Sequence, residues 1–201
     1  MVIPYQKILD ASVGRLRLQS TPMGLERILQ EEMAVALPAA RREVRLAAVS
    51  AETIFGTSAG SIDLVHKQHG IEVKVVQFPR AKAVPSNALY DIGQLSSDYW
   101  RLAHAKTLTS GELLVLLCGP LVASLAKATA ICREFHNRMY VDYQTSAMFG
   151  ELSVESDIPH RKRQVSAIQR MGLNVPANDG RRFKTVVSSE FALLSVPVVR
   201  Q

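Results

Sequence analysis

The sequence predicts an α/β domain, with a central mixed β-sheet flanked by helices in the order α-β-β-β-α-β. Three observations predict it. Apolar residues recur at helical spacing over residues 21–37 and at strand spacing over 43–78. The run Glu112 to Cys118, bounded by Gly111 and by Gly119-Pro120, has the length and apolar content of a buried strand. The composition, 47% hydrophobic and 21% charged over 201 residues, is that of an ordinary globular chain. That length suits a single domain over residues 1–201, with its core at about 21–136 and a basic C-terminal extension at about 137–201.

The same composition excludes several classes. Two cysteines, Cys118 and Cys132, are too few for a disulfide scaffold or a multi-cysteine metal module. No apolar run approaches the ~18 residues of a membrane span. The start MVIPYQKILD lacks the charged-then-apolar layout of a secretory signal, so a cytoplasmic protein with no membrane partner is expected. Lys and Arg total 24 against 18 Asp and Glu, a formal charge of +6. That excess suits a polyanionic partner, although charge bears on association and not on fold.

Taken in order, Tyr5 to Leu18 is an amphipathic lead-in, helix or arm. Thr21-Pro22 starts a helix, because Thr21 can accept from the first free N–H groups and Pro22 fits the first helical position. The helix runs to about Leu37, with Leu25, Ile28, Leu29 and Ala36 on one face. Glu43 to Phe55 reads as a strand, Gly56 to Gly60 as a turn, and Ser61–His66 and Ile71–Phe78 as two strands of a hairpin with a loop at His66–His69. A basic connector, Pro79 to Pro85, leads to a helix capped by Ser86 and ending near Ala105. After the buried strand, Leu121 to His136 reads as a third helix. Tyr140 to Val154 has room for a strand or two. Phe191 to Val199 returns as a last strand, and Pro197 places it at an edge.

The chemistry concentrates in Gly60-Ser61-Ile62-Asp63 and Ile71-Glu72-Val73-Lys74. Alternation along a strand puts Glu72 and Lys74 on one face and Ile71, Val73 and Val75 on the other. A register that pairs Asp63 with Glu72 and Val65 with Gly70 brings Asp63 to the same face; a one-residue slip would remove it. Two nearby carboxylates repel unless a cation lies between them. A hard divalent ion suits their oxygens, and it lowers the pKa of a bound water and neutralises phosphate charge. Lys74 would orient that water or help to deprotonate it. The alternative is a cross-strand ion pair on a solvated sheet face.

The GSID…IEVK pattern resembles the core motif of the PD-(D/E)XK nuclease superfamily, with Asp63 as first acid, Glu72 as second and Lys74 as the lysine. The resemblance covers roughly residues 21–120. It implies a restriction-endonuclease-like core and a metal-dependent endodeoxyribonuclease, possible in restriction or defence, that leaves 5′-phosphate and 3′-hydroxyl ends. The implied cofactor is Mg²⁺, with Mn²⁺ as a substitute, at Asp63, Glu72 and the intervening Val73. The implied partners are double-stranded DNA and a second copy in a homodimer.

The superfamily often adds an acid from the first core helix. Glu32 lies in the middle of the Leu25/Ile28/Leu29/Ala36 stripe, where a carboxylate is costly without a partner. It is therefore expected as an additional catalytic and metal-site acid, the alternative being an arginine partner such as Arg45. Glu26 and Glu31 point away from the centre of that stripe. On the next helix Tyr90, Gln94, Ser97 and Arg101 share a polar face, and Gln94 is expected near the site.

Arg80 and Lys82 in the connector, and Arg101, are expected on nucleic acid. So are Arg161, Lys162, Arg163, Arg181 and Arg182, in a stretch that also holds Arg170 and Lys184 against the single acid Asp179. His66 and His69 read as solvated residues beside a turn, and Cys118 as an apolar filler. A catalytically inactive nucleic-acid-binding or assembly protein on the same fold is the competing function. A broken motif would mark it, and all three motif residues are present.

Overall fold

The computed structural model describes residues 2–51, 58–77, 98–118 and 184–198. Two helices open the chain, α1 (Tyr5–Leu16) and α2 (Pro22–Ala36). Thr21 caps α2 as expected: its hydroxyl accepts from the Gly24 N–H at 3.2 Å, and Pro22 takes the first helical position. Strands β1 (Ala40–Arg45), β2 (Ser61–His66), β3 (His69–Gln77), β4 (Ser110–Cys118), β5 (Lys184–Ser188) and β6 (Phe191–Val198) form one six-stranded sheet in the order β1-β2-β3-β4-β6-β5. The sheet is mixed. β3 and β4 run parallel, with helical residues 98–104 between them in sequence, and every other neighbouring pair is antiparallel.

Helices α1 and α2 cover one face. Leu9, Leu16, Leu29 and Met33 pack there against Leu64, Ile71, Val73, Leu114, Leu116 and Leu193 in one buried cluster. The other face meets residues 98–104. Gly70 and Gly111 are neighbours across β3 and β4, and the absence of two side chains leaves a depression for Leu102. A Cβ on Gly70 would lie 2.6 Å from Leu108 Cδ1 and 2.7 Å from Leu102 Cδ2, and one on Gly111 3.1 Å from Leu102 Cβ. This seat fixes how closely the helix approaches the sheet. Gly70→Ala is expected to destabilise the fold by about 1–3 kcal/mol through overpacking. Urea unfolding measures it, and a loss below about 0.5 kcal/mol would mean the helix shifts freely.

Several expectations need correction. The strand expected over 43–55 is instead β1, which starts earlier and ends at Arg45, followed by a 3₁₀ turn at Leu46–Val49. The hairpin register is the expected one, with Val65 opposite Gly70, but His66 pairs with His69. The loop is therefore the two-residue turn Lys67-Gln68, with Lys67 at φ 56°. The last strand is not an edge. β6 lies between β4 and β5, and Pro197 is tolerated because β5 pairs with β6 only as far as Ser195. Lys184, expected within a basic extension, opens β5.

The expected helix at 121–136, the strands at 140–154 and residues 86–97 of the second helix lie outside the described residues. So do Gln94, Arg80, Lys82, Arg161, Lys162, Arg163, Arg181 and Arg182.

Candidate active site

The site begins where β2 and β3 part. Their ladder runs from His66↔His69 to Leu64↔Ile71 and stops one pair short of Asp63 and Glu72. There the Asp63 carboxylate takes the ladder's place, accepting the Val73 N–H at 2.7 Å. β2 also changes face at this point. Leu64 belongs to the helix-side cluster, whereas Ile62 lies on the Leu102 side, 3.8 Å from a Cβ on Gly70. Across from Asp63 on β1, Glu43 adopts φ 48°, between the pairs Arg42↔Leu64 and Val44↔Ile62. The next outward N–H of β3, that of Val75, bonds to Glu26 from α2. Two carboxylates therefore hold the stretch of β3 that β2 has left.

Glu72 and Lys74 project from the same stretch. Glu72 is 1% exposed, and Arg101 Nη2 lies 2.9 Å from its Oε1. Lys74 Nζ lies 3.6 Å from Asp98 Oδ2, and Arg101 also pairs with Asp98 one helical turn away. Glu26, Asp63, Glu72, Asp98, Lys74 and Arg101 form one electrostatic cluster. Four carboxylates against two cations leave it formally at −2 when all are ionised.

Burial pushes the Glu26 and Asp63 carboxyls up, and Lys74 opposes that shift. Burial holds Glu72 well above the usual carboxyl range, with Arg101 opposing. Burial works against the charge on Lys74, but Asp98, Glu26, Glu72 and Asp63 outweigh it and its pKa rises. The surrounding acids thus favour the ammonium form of Lys74.

The residues carry features that suit a divalent cation. Both oxygens of Glu72 and Oδ2 of Asp98 are buried without an aligned hydrogen bond, and the cluster's formal −2 is the charge such an ion neutralises. Among the described residues, however, no three His, Cys, Asp or Glu side chains converge as a preassembled ligand set. Lys74 and Arg101 stand among the acids instead.

The motif residues Asp63, Glu72 and Lys74 are brought together, with Val73 between them. Glu32 is not part of the group. It pairs with Arg15 of α1 at 2.9 Å, and Glu26 is the α2 acid that reaches the cluster. The apolar stripe of α2 is wide because it serves two neighbours, α1 and the sheet. At about 100° per residue, Glu26 and Glu32 point about 120° apart, one toward β3 and one toward α1. Arg101, expected on nucleic acid, is turned inward onto Glu72 and Asp98, with its side chain 16% exposed.

Asp98 was missed. It stands four residues after Gln94 and three before Arg101, so helical spacing alone puts it on the polar face already singled out. Cys118 is buried at the end of β4, where burial pushes its thiol up to about 12, as suits an apolar filler. No family model, curated protein or solved structure matches the chain.

Proposed function

We propose that the protein is a divalent-cation-dependent nuclease of the PD-(D/E)XK type that hydrolyses phosphodiester bonds of DNA. The observation that carries this reading is the Asp63, Glu72 and Lys74 group at the point where β2 leaves β3. The restriction-endonuclease-like topology is part of the proposal. The order α2, β1, β2, β3, helical residues 98–104, β4 supports it, as does the parallel β3–β4 crossover.

Asp63, Glu72 and the Val73 carbonyl would hold Mg²⁺ or Mn²⁺, with Glu26 as the further acid. The ion would supply a water of lowered pKa and neutralise charge on the phosphate. The chain's own groups do the rest. Lys74 donates to the attacking water or to a non-bridging phosphate oxygen, and its fixed charge stabilises the negative charge that builds as the P–O3′ bond breaks. Asp98 and Arg101 position Lys74 and Glu72. The attacking water gives up one proton to solvent and the leaving 3′ oxygen takes one from solvent, which gives 5′-phosphate and 3′-hydroxyl ends. Duplex DNA, a homodimer and backbone contacts from Arg80, Lys82, the 161–163 basic triplet and the 181–182 basic pair belong to the same proposal.

Supercoiled plasmid incubated with Mg²⁺ tests it. We expect nicked and linear products that EDTA abolishes. Glu26→Gln is expected to slow cleavage by about 10²-fold, while Glu32→Gln stays near wild type because its partner is Arg15. No cutting of duplex, single-stranded or branched DNA with either metal would overturn the reading.

The inward turn of Arg101 favours the competing reading of an inactive nucleic-acid-binding protein, because it already compensates Glu72. That reading predicts salt-dependent DNA binding with no cleavage.

A further inference from the structure

A second polar cluster lies at the turn end of the sheet, on the opposite face from Glu72 and Lys74. His69 precedes Glu72 by three residues on β3, so the two side chains point to opposite faces. Glu112 on β4 forms its centre. The Tyr5 hydroxyl of α1 and the Ser195 hydroxyl of β6 both donate to its carboxylate. His69 Nε2 faces the same carboxylate at 3.6 Å, and His69 Nδ1 lies 2.7 Å from Ser110 Oγ. Side chains from α1, β6 and β3 thus converge on one acid, and its acceptors are already engaged.

This cluster floors a cavity of about 790 Å³, within the roughly 300–1,000 Å³ of small-molecule sites. The basic residues Lys67 and Lys184 line it, as do the apolar residues Ile3, Pro197 and Val198. A further observation points to a ligand. His66, also in the lining, has a buried Nδ1 with no hydrogen-bond partner, a state that a ligand bond would relieve. Lys67, at φ 56° because it opens the two-residue β2–β3 turn, also lines the cavity. With Glu112 occupied by its own donors, the charge left for a ligand is positive.

We propose that this cavity is a second ligand site, separate from the carboxylate cluster, for a small molecule with an anionic group on an apolar body. Lys67, Lys184 and His66 take the anion, and Ile3, Pro197 and Val198 take the body. The site does not depend on the nuclease reading.

Isothermal titration of the full chain in EDTA, with phenyl phosphate, inorganic phosphate and phenol as probes, tests it. We expect saturable binding of phenyl phosphate, weaker binding of inorganic phosphate, and weakest binding of phenol. The Lys67→Gly/Lys184→Ala double variant is expected to weaken phenyl phosphate by about tenfold or more. Lys67→Gly relieves the backbone while removing the charge, so this variant should remain folded, and its far-UV spectrum and melting temperature verify that. Three results would overturn the proposal. They are no saturable heat up to about 10 mM phenyl phosphate, an unchanged affinity in the double variant, or phenol or inorganic phosphate binding as tightly as phenyl phosphate.

Discussion

Lys74→Ala is expected to reduce DNA cleavage by about 10²–10³-fold or more at saturating Mg²⁺, with the fold retained. The four carboxylates around Lys74 favour its ammonium form. In that form it acts as a positive charge and a donor, not as the base that takes the proton from water. The pH–rate profile of the wild-type protein should therefore show no limb from deprotonation of Lys74. Lys74→Arg should not restore the rate, because a planar guanidinium cannot replace a compact ammonium lodged 3.6 Å from Asp98. A Lys74→Ala protein that cuts within about threefold of wild type would remove Lys74 from the chemistry.

Arg101→Met is expected to destabilise the protein by about 3–5 kcal/mol at pH 8, because it leaves Glu72 buried beside other acids without its cation. The effect should depend on pH in a definite direction. Glu72 has a folded-state pKa above its ordinary 4.5, so the folded state binds more protons than the unfolded one. Its contribution to stability is therefore best below about pH 4.5 and falls as pH rises toward the folded value. Arg101 opposes that shift, so its removal raises the folded value further and steepens the fall. Urea unfolding between pH 4.5 and 8 should show a small deficit at the acid end that grows with pH. Adding Glu72→Gln should restore part of it. A deficit that is the same at every pH would mean that Arg101 acts by packing alone.

Much of the framework was legible in the sequence for local reasons. The α2 start follows from Thr21-Pro22. The β2–β3 register follows from alternation, because only one register places Asp63, Glu72 and Lys74 together. β4 is apolar along nearly its whole length because helices or helical residues approach both its faces. The rest depends on contacts between distant residues. The choice between Glu26 and Glu32 turns on α2 having two neighbours, which a single apolar stripe does not resolve. β5 begins with a lysine at the end of a basic stretch, and only its pairing with β6 makes it a strand. Arg101 reads as solvent-facing until Leu102, settled over Gly70 and Gly111, turns its neighbour onto Glu72. The polar group around Glu112 joins residues 5, 69, 110 and 195, a separation that no sequence pattern spans.

The parting of β2 from β3 has a thermodynamic consequence. A carboxylate that becomes immobile only when it meets its target loses rotamer freedom at that moment, and the loss weakens binding. Asp63 has already lost that freedom on folding, because the Val73 N–H holds one of its oxygens at 2.7 Å. Whatever its other oxygen receives meets an acceptor whose ordering entropy is part of the folding free energy. Affinity at this oxygen and stability of the sheet are thus linked. A change that lets Asp63 swing free would loosen both, even with every carboxylate still in place.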